Sequence, residues 1–280
     1  MHLLIAIEGD EHSEQTIRLG LQLARQVDGN ITVLTVAERE SERAQSEAIL
    51  AEALSRIGPT SMEMTSKVVV GETASEILAE AEVGQYELLV IGMRPSHSFL
   101  KRLQGLVSEQ VMARAPCPVL IVKGEARPIH TILVCSSGAA GYEGPTRSMV
   151  QLAPIFDGDA ITLLHVMSQI SATPNAPHGW QLLAGAGELI EEATPEGRLL
   201  EERAAILRQA GYHVQAKVRH GLVVDEILDE ACNGDHELVV IGAHVATGWR
   251  RHLLDDVARQ IVNQVDILVL VVPTVDLEAN

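Results

Sequence analysis

The chain says the same thing twice. Val69-Val-Gly71 leads through an acidic stretch to Glu87-Leu-Leu-Val-Ile-Gly92, and Arg219-His-Gly221 leads to Glu237-Leu-Val-Val-Ile-Gly242. Both glycine-to-glycine intervals are 21 residues, and the copies are offset by 150. Each is followed by a polar loop, a helical pattern and an apolar strand, Pro118–Val122 and then Ile267–Val272. Each copy also opens on an apolar strand, Leu3–Ile7 and Ile132–Val134. Self-similarity on this scale means one plan used twice, and 280 residues accommodate two units at ~150 residues each. Two domains are expected, 1–125 and 130–275, joined near Lys123–His130 where Gly124 and Pro128 punctuate the sequence.

Within the first copy, runs rich in Leu and β-branched residues fall at 2–7, 31–36, 64–70, 87–91 and 118–122, with helical patterns between them. Ile17, Leu21 and Ala24 share one face of the first helix, with Asp10 or Ser13 as its cap. A second helix spans 40–57 and stops at Gly58-Pro59; a third opens on the capping box Thr73-x-x-Glu76; a fourth covers about 105–115. Near-continuous apolar strands alternating with helices predict a doubly wound α/β unit, a five-stranded parallel sheet covered on both faces. In such a unit the ligand cleft lies outside the carboxyl ends of the strands. The second copy keeps this order but inserts a Pro- and Gly-rich stretch at about 168–197, a lid, an interface element or a loop.

Charge and composition exclude several partners. The net charge is −17, divided as −6 over residues 1–127 and −11 over 128–280, a field that repels a phosphate polymer. Aromatics at 2% leave few platforms for stacking bases, so nucleic acid is not expected as a partner. No apolar run reaches the ~20 residues of a membrane span. Cys117, Cys135 and Cys232 are odd in number, far apart and without a CxxC pair, which suits reduced thiols in a cytoplasm. The eleven histidines are scattered, with no compact ligand motif. His97 and His244 occupy the two equivalent loops. Neither a catalytic set nor a metal site is expected.

The opening Leu3-Leu-Ile-Ala-Ile-Glu-Gly-Asp-Glu-His-Ser13, the strand exit Val90-Ile-Gly92 and the run Gly105-Leu-Val-Ser-Glu-Gln-Val-Met-Ala-Arg-Ala-Pro-Cys-Pro-Val-Leu-Ile-Val122 resemble the universal stress protein family in its tandem two-domain form. The resemblance covers nearly the whole chain except the insertion. It implies five-stranded Rossmann-like domains, of the type also seen in adenine nucleotide alpha hydrolases, packed as an internal pseudo-dimer. It also implies a cytoplasmic location, dimeric association through the last strand of each domain, and stress-related regulation. Some members of the family bind ATP.

Those members carry a loop G-x2-G-x9-G-[S/T] and an acid closing the first strand. Glycines let backbone amides approach phosphates, and the following helix offers its positive end. In the first domain Gly92 and Gly105 stand at two of the glycine positions, Pro95 at the third, and Leu106 at the hydroxyl position. Ser108 follows two residues on, Glu8 takes the place of the strand-end acid, and Lys101 and Arg102 lie within the loop. In the second domain only Gly242 remains: Val245 takes the next slot, Asp255-Asp256 replace the final pair, and Ser137 replaces the acid. A carboxylate opposes a phosphate by about 4 kcal/mol per charge pair at ~4 Å in an effective dielectric near ~20.

The sequence therefore reads as a non-enzymatic regulatory or stress-response module with degenerate nucleotide loops. One alternative is ATP binding in the first domain only, with Glu8, Gly92, Gly105 and Ser108 as contacts; ATP is not expected in the second domain. Another is an apolar small molecule bound beneath the inserted segment of the second domain. A homodimer, or an unidentified protein or small-ligand partner, is the association left open.

Overall fold

A computed structural model describes residues 1–8, 11–57, 62–93, 102–124, 127–137, 143–156, 158, 160–167, 184–244 and 256–274. The first half runs β1 (His2–Ile7), α1 (Glu11–Arg25), β2 (Asn30–Ala37), α2 (Arg43–Ile57), β3 (Met64–Val70), α3 (Thr73–Gly84), β4 (Leu88–Gly92), α4 (Arg102–Arg114) and β5 (Val119–Val122). The second runs β6 (Thr131–Ser136), α5 (Gly144–Leu152), β7 (Ala160–Met167), α6 (Ala186–Glu191) and α7 (Pro195–Gln209). It continues with β8 (His213–His220), α8 (Val223–Asn233), β9 (Leu238–His244), α9 (Asp256–Gln264) and β10 (Leu268–Thr274).

All ten strands join one sheet in the order β3-β2-β1-β4-β5-β10-β9-β6-β7-β8. Every neighbouring pair is parallel except β5 with β10, which run antiparallel with Leu120 opposite Leu270. The order reads as two five-stranded units joined last strand to last strand, and the apolar runs that close each unit become the centre of the sheet. Val119, Leu120, Ile121, Leu270 and Val271 are at most 1% exposed there. Each such side chain contributes about 1.5–3 kcal/mol by leaving water. α1, α2, α5 and α7 cover one face of the sheet, while α3, α4, α8 and α9 cover the other. The strands that the resemblance assigns to dimer contact are thus paired within the chain.

The repeat extends to polar detail. Lys67 donates to Glu80 at 2.6 Å, and 150 residues on Lys217 donates to Glu230 at 2.9 Å. Glu87 accepts the amide of His2 at 2.6 Å, as Glu237 accepts that of Thr131 at 2.7 Å. One contact has no counterpart. Lys123, just past β5, is 8% exposed, and its ammonium donates to the carbonyls of Val262 and, at 2.6 Å, Val265, where α9 ends. A cation suits the negative end of a helix. Burial pushes the amine down to about 8, with Asp266 pulling the other way. The matching position in the second half is Pro273, which has no such donor.

Local expectations differ from the structure at helix ends. Ser13 lies inside the first turn of α1, 3% exposed, rather than capping it; Asp10 is outside the described residues. The cap of α3 is Glu72, not Thr73: its carboxylate accepts from the amides of Ala74 at 3.3 Å and Ser75 at 2.8 Å. A glutamate satisfies the same orphan amides from one residue earlier and adds a charge that the helix dipole favours. Residues 40–57 divide into a 3-10 turn, Glu40–Glu42, and α2. Of the interval 168–197, residues 168–183 lie outside the described residues. The end of the interval forms α6 and the start of α7, which Thr194 caps by accepting the Gly197 amide at 3.0 Å.

Candidate functional site

The carboxyl ends of β1 and β4 are adjacent, since Ala6 pairs with Ile91. Glu8 leaves β1 exposed to solvent, beside the exit of β4 at Gly92. Gly92 has a packing reason to lack a side chain: a Cβ there would stand 2.7 Å from Thr16 Oγ1 of α1. Thr16 is 1% exposed and stands against the β4 exit, and Ser13, one turn earlier on α1, is 3% exposed. Residue reasoning missed this pair; the Ser13-x-x-Thr16 spacing on one helix face was the available signal. The amide of Met93 donates to the Val122 carbonyl at 2.9 Å, which ties the β4 exit to the end of β5.

Gly105 and Ser108 sit within α4, on the other face of the sheet from α1. α4 begins at Arg102, so Gly105 is its fourth residue and lies in its first turn. Ser108 is buried in the second turn. Glu8 and Gly92 thus share one strand edge, whereas Gly105 and Ser108 approach from a helix. Pro95 and Lys101 lie outside the described residues.

At the same edge of the second half, β6 ends at Ser136 and is followed by Ser137, the counterpart of Glu8. The last residues of β9 are Ala243 and His244, so His244 closes a strand rather than occupying a loop; His97, Val245 and Asp255 are outside the described residues. Asp256 opens α9 and accepts from Arg259 at 2.7 Å. The positive end of that helix is therefore already faced by a carboxylate.

Polar groups gather instead at the ends of β6, β7 and β8. Arg203 of α7 is 2% exposed and donates to Ser136 Oγ and to the Ser137 carbonyl. His165 Nδ1 meets the Ser136 carbonyl at 3.1 Å, and His220 Nε2 meets the Ala184 carbonyl at 2.9 Å. A carbonyl only accepts, so each of these nitrogens carries the proton. Burial holds His165 below the usual histidine range, partly offset by the Ser136 bond and by Glu196. Burial likewise lowers Arg203, against the pull of Glu143 and Glu202, yet a guanidinium keeps its proton. The histidines read as scattered along the chain are in this pair brought together by strand pairing between β7 and β8.

The cysteines do not carry chemistry of this kind. Burial, with the charge of Glu230, pushes the Cys135 thiol up to about 12, and burial does the same for Cys117. A thiol so raised is a poor nucleophile. Among the described residues no group of three His, Cys, Asp or Glu side chains is placed to hold a metal ion, and no helix is long and apolar enough to cross a membrane.

Comparison with known proteins agrees with this architecture. The model of the universal stress protein family matches residues 1–123 and again 129–273. A universal stress protein of Mycolicibacterium smegmatis is 24% identical over 300 aligned positions, covering 96% of each chain. One of Bacillus subtilis is 24% identical over 144 positions, 43% of this chain and 97% of that protein. Among solved structures, a universal stress protein of Archaeoglobus fulgidus superposes with a TM-score of 0.70 at 17% identity, covering 98% of this chain and 97% of its own. A functionally unknown protein of Pseudomonas aeruginosa gives 0.69 at 19% identity, covering 98% and 92%. With both halves matched in series, the chain belongs to the universal stress protein family, as a tandem of two such domains.

Proposed function

We propose that this protein is a non-enzymatic, stress-type regulatory module whose second domain has lost the grip on a nucleotide triphosphate and whose first domain keeps part of it. The observation that carries the reading is Asp256, a carboxylate held by Arg259 at the helix end where a phosphate would lie. Family membership supports a regulatory or nucleotide-binding role in general terms. The exchange of a strand-end acid for Ser137 points the same way.

A second reading, ATP held by the first domain alone, is supported by Glu8, which stands exposed after β1 beside the exit of β4 at Gly92. Ligand contacts there would come from Glu8, Gly92, Gly105 and Ser108. An apolar ligand beneath the inserted segment of the second domain is a further reading, and residues 168–183 of that segment lie outside the described residues.

The test is direct. Heat-denaturing the purified protein and passing the supernatant over an anion-exchange column should release no more than one ATP or ADP per chain. Two per chain contradicts the loss in the second domain.

A further inference from the structure

One member of the repeated polar network changes between the domains. In the first, Lys67 and Tyr86 both donate to Glu80 at 2.6 Å. In the second, Lys217 donates to Glu230 as before, but His236 stands 150 residues on from Tyr86. The backbone keeps its course: Gln85 and Asp235, just before each ring, have left-handed φ values of 50° and 51°. The His236 side chain is 4% exposed. Its Nε2 lies 3.6 Å from Glu230 Oε1, beyond hydrogen-bond reach, and neither ring nitrogen has a hydrogen-bond partner among the described residues. The Tyr86 hydroxyl is satisfied, whereas the imidazole in its place is not.

The carboxylate nearest the ring is already shared. Glu230 accepts from Lys217 and, at 2.9 Å, from Arg219 of β8, which also binds Glu226 at 2.6 Å and Asp229 of α8. These ion pairs clamp α8 to β8, an edge strand of the sheet. The other carboxylates by the ring are Asp235 in its own turn and Glu237 before β9, which accepts from Thr131 and from the His130 amide. Cys135 of β6, within the field of Glu230, keeps its proton, its thiol pushed up to about 12. The turn joining α8 to β9 covers the ring, since a Cβ at Gly234 would stand 2.5 Å from His236 Nε2.

We propose that His236 is an acid-sensitive latch: neutral, it fits beneath the α8–β9 turn, and protonated, it drives that turn and the end of α8 off the sheet. An imidazolium there is a buried charge with no free acceptor in reach among the described residues, and such a charge is costly to keep from water. Burial holds His236 below the usual histidine range, against the pull of Glu230 and Glu237, with Lys217 adding to the lowering. A folded pKa beneath the ordinary 6.5 means that the opened state binds more protons, so the stability of this corner is lost as pH falls below 6.5. Tyr86, pushed up to about 12, leaves the first domain insensitive in that range. The latch goes beyond the proposed function: it needs no ligand and lies at the amino end of β9, away from the mouth.

Hydrogen exchange of the full chain, read by mass spectrometry at pH 7.5 and 5.5 and corrected for the chemical exchange rate at each pH, tests the latch, with α3 as the internal control. Peptides of α8 should lose protection at the lower pH by up to about tenfold, the effect of one proton over one pH unit, while those of α3 hold theirs. His236→Tyr, which installs the first domain's residue, should make α8 behave as α3; His130 and His165 are present in both proteins, so the comparison cancels them. Protection of α8 that is unchanged or raised at pH 5.5, or lost equally in His236→Tyr, overturns the proposal; a rise would mean that Glu230 captures the charged ring. Proton NMR of the His236 ring in the wild type needs no variant. A titration midpoint below 6.5 is required, and one at or above it overturns the latch.

Discussion

At the scale of single residues, function and packing compete for the same positions. Gly92 permits close approach at a strand exit, and the atom that a Cβ there would meet is Thr16 Oγ1. Gly92→Ala should cost about 1–3 kcal/mol in denaturant unfolding, and a Thr16→Ala background should recover a good part of it. Strict additivity of the two changes would show that Thr16 is not what the glycine makes room for. Thiol reactivity provides another check. Cys232 is exposed and Cys117 buried with its thiol pushed up to about 12, so an aromatic disulfide reagent should label Cys232 in the folded protein and Cys117 only on unfolding. Fast labelling of Cys117 in native buffer contradicts its placement. Glu8, Gly92 and Ser137 were legible from the sequence because they sit at strand ends whose position the apolar pattern marks. Arg203 was not: an arginine at one turn of an amphipathic helix looks solvated until the helix is docked. His165 and His220 were invisible as a pair because only strand register brings them side by side.

Among elements, the strands and helices were legible and their ends were not. The run at 64–70 became β3 without change, its β-branched Thr65, Val68, Val69 and Val70 suiting a strand at the sheet edge. Caps depend on which side chain first reaches the orphan amides, and Glu72 reaches them before Thr73. The second domain has Leu222 at the corresponding place, 62% exposed, with cap-like backbone and no capping side chain. Leu222→Asp should therefore stabilise the protein by about 1 kcal/mol, read from a chemical melt at neutral pH. A destabilisation would mean that Leu222 is held by a contact other than its helix. Lys123 makes a pH prediction at this scale. Its folded pKa lies near 8 against 10.5 for a free lysine, so between those values the unfolded chain binds more protons and stability rises with pH. Relative to Lys123→Met, the wild type should gain about 2 kcal/mol from pH 8 to 10.5, the comparison cancelling the opposite drift of Cys117 and the tyrosines. A flat difference would place the ammonium in water.

For the molecule as a whole, duplication explains the architecture and divergence explains the function. The internal repeat foretold two doubly wound units, and the family resemblance implied contact through their last strands. It could not foretell that one lysine of the first unit would close a helix of the second, because the partner carbonyls carry no sequence signature. The two strand-end mouths began from one plan and now differ in charge, hydroxyls and histidines. Mapping sites of attachment of a photoreactive ATP analogue by peptide mass spectrometry tests that divergence most directly. Label confined to peptides of residues 1–123, or absent altogether, is the predicted result; label on peptides containing Ser137 or Asp256, competed by ATP, would contradict it.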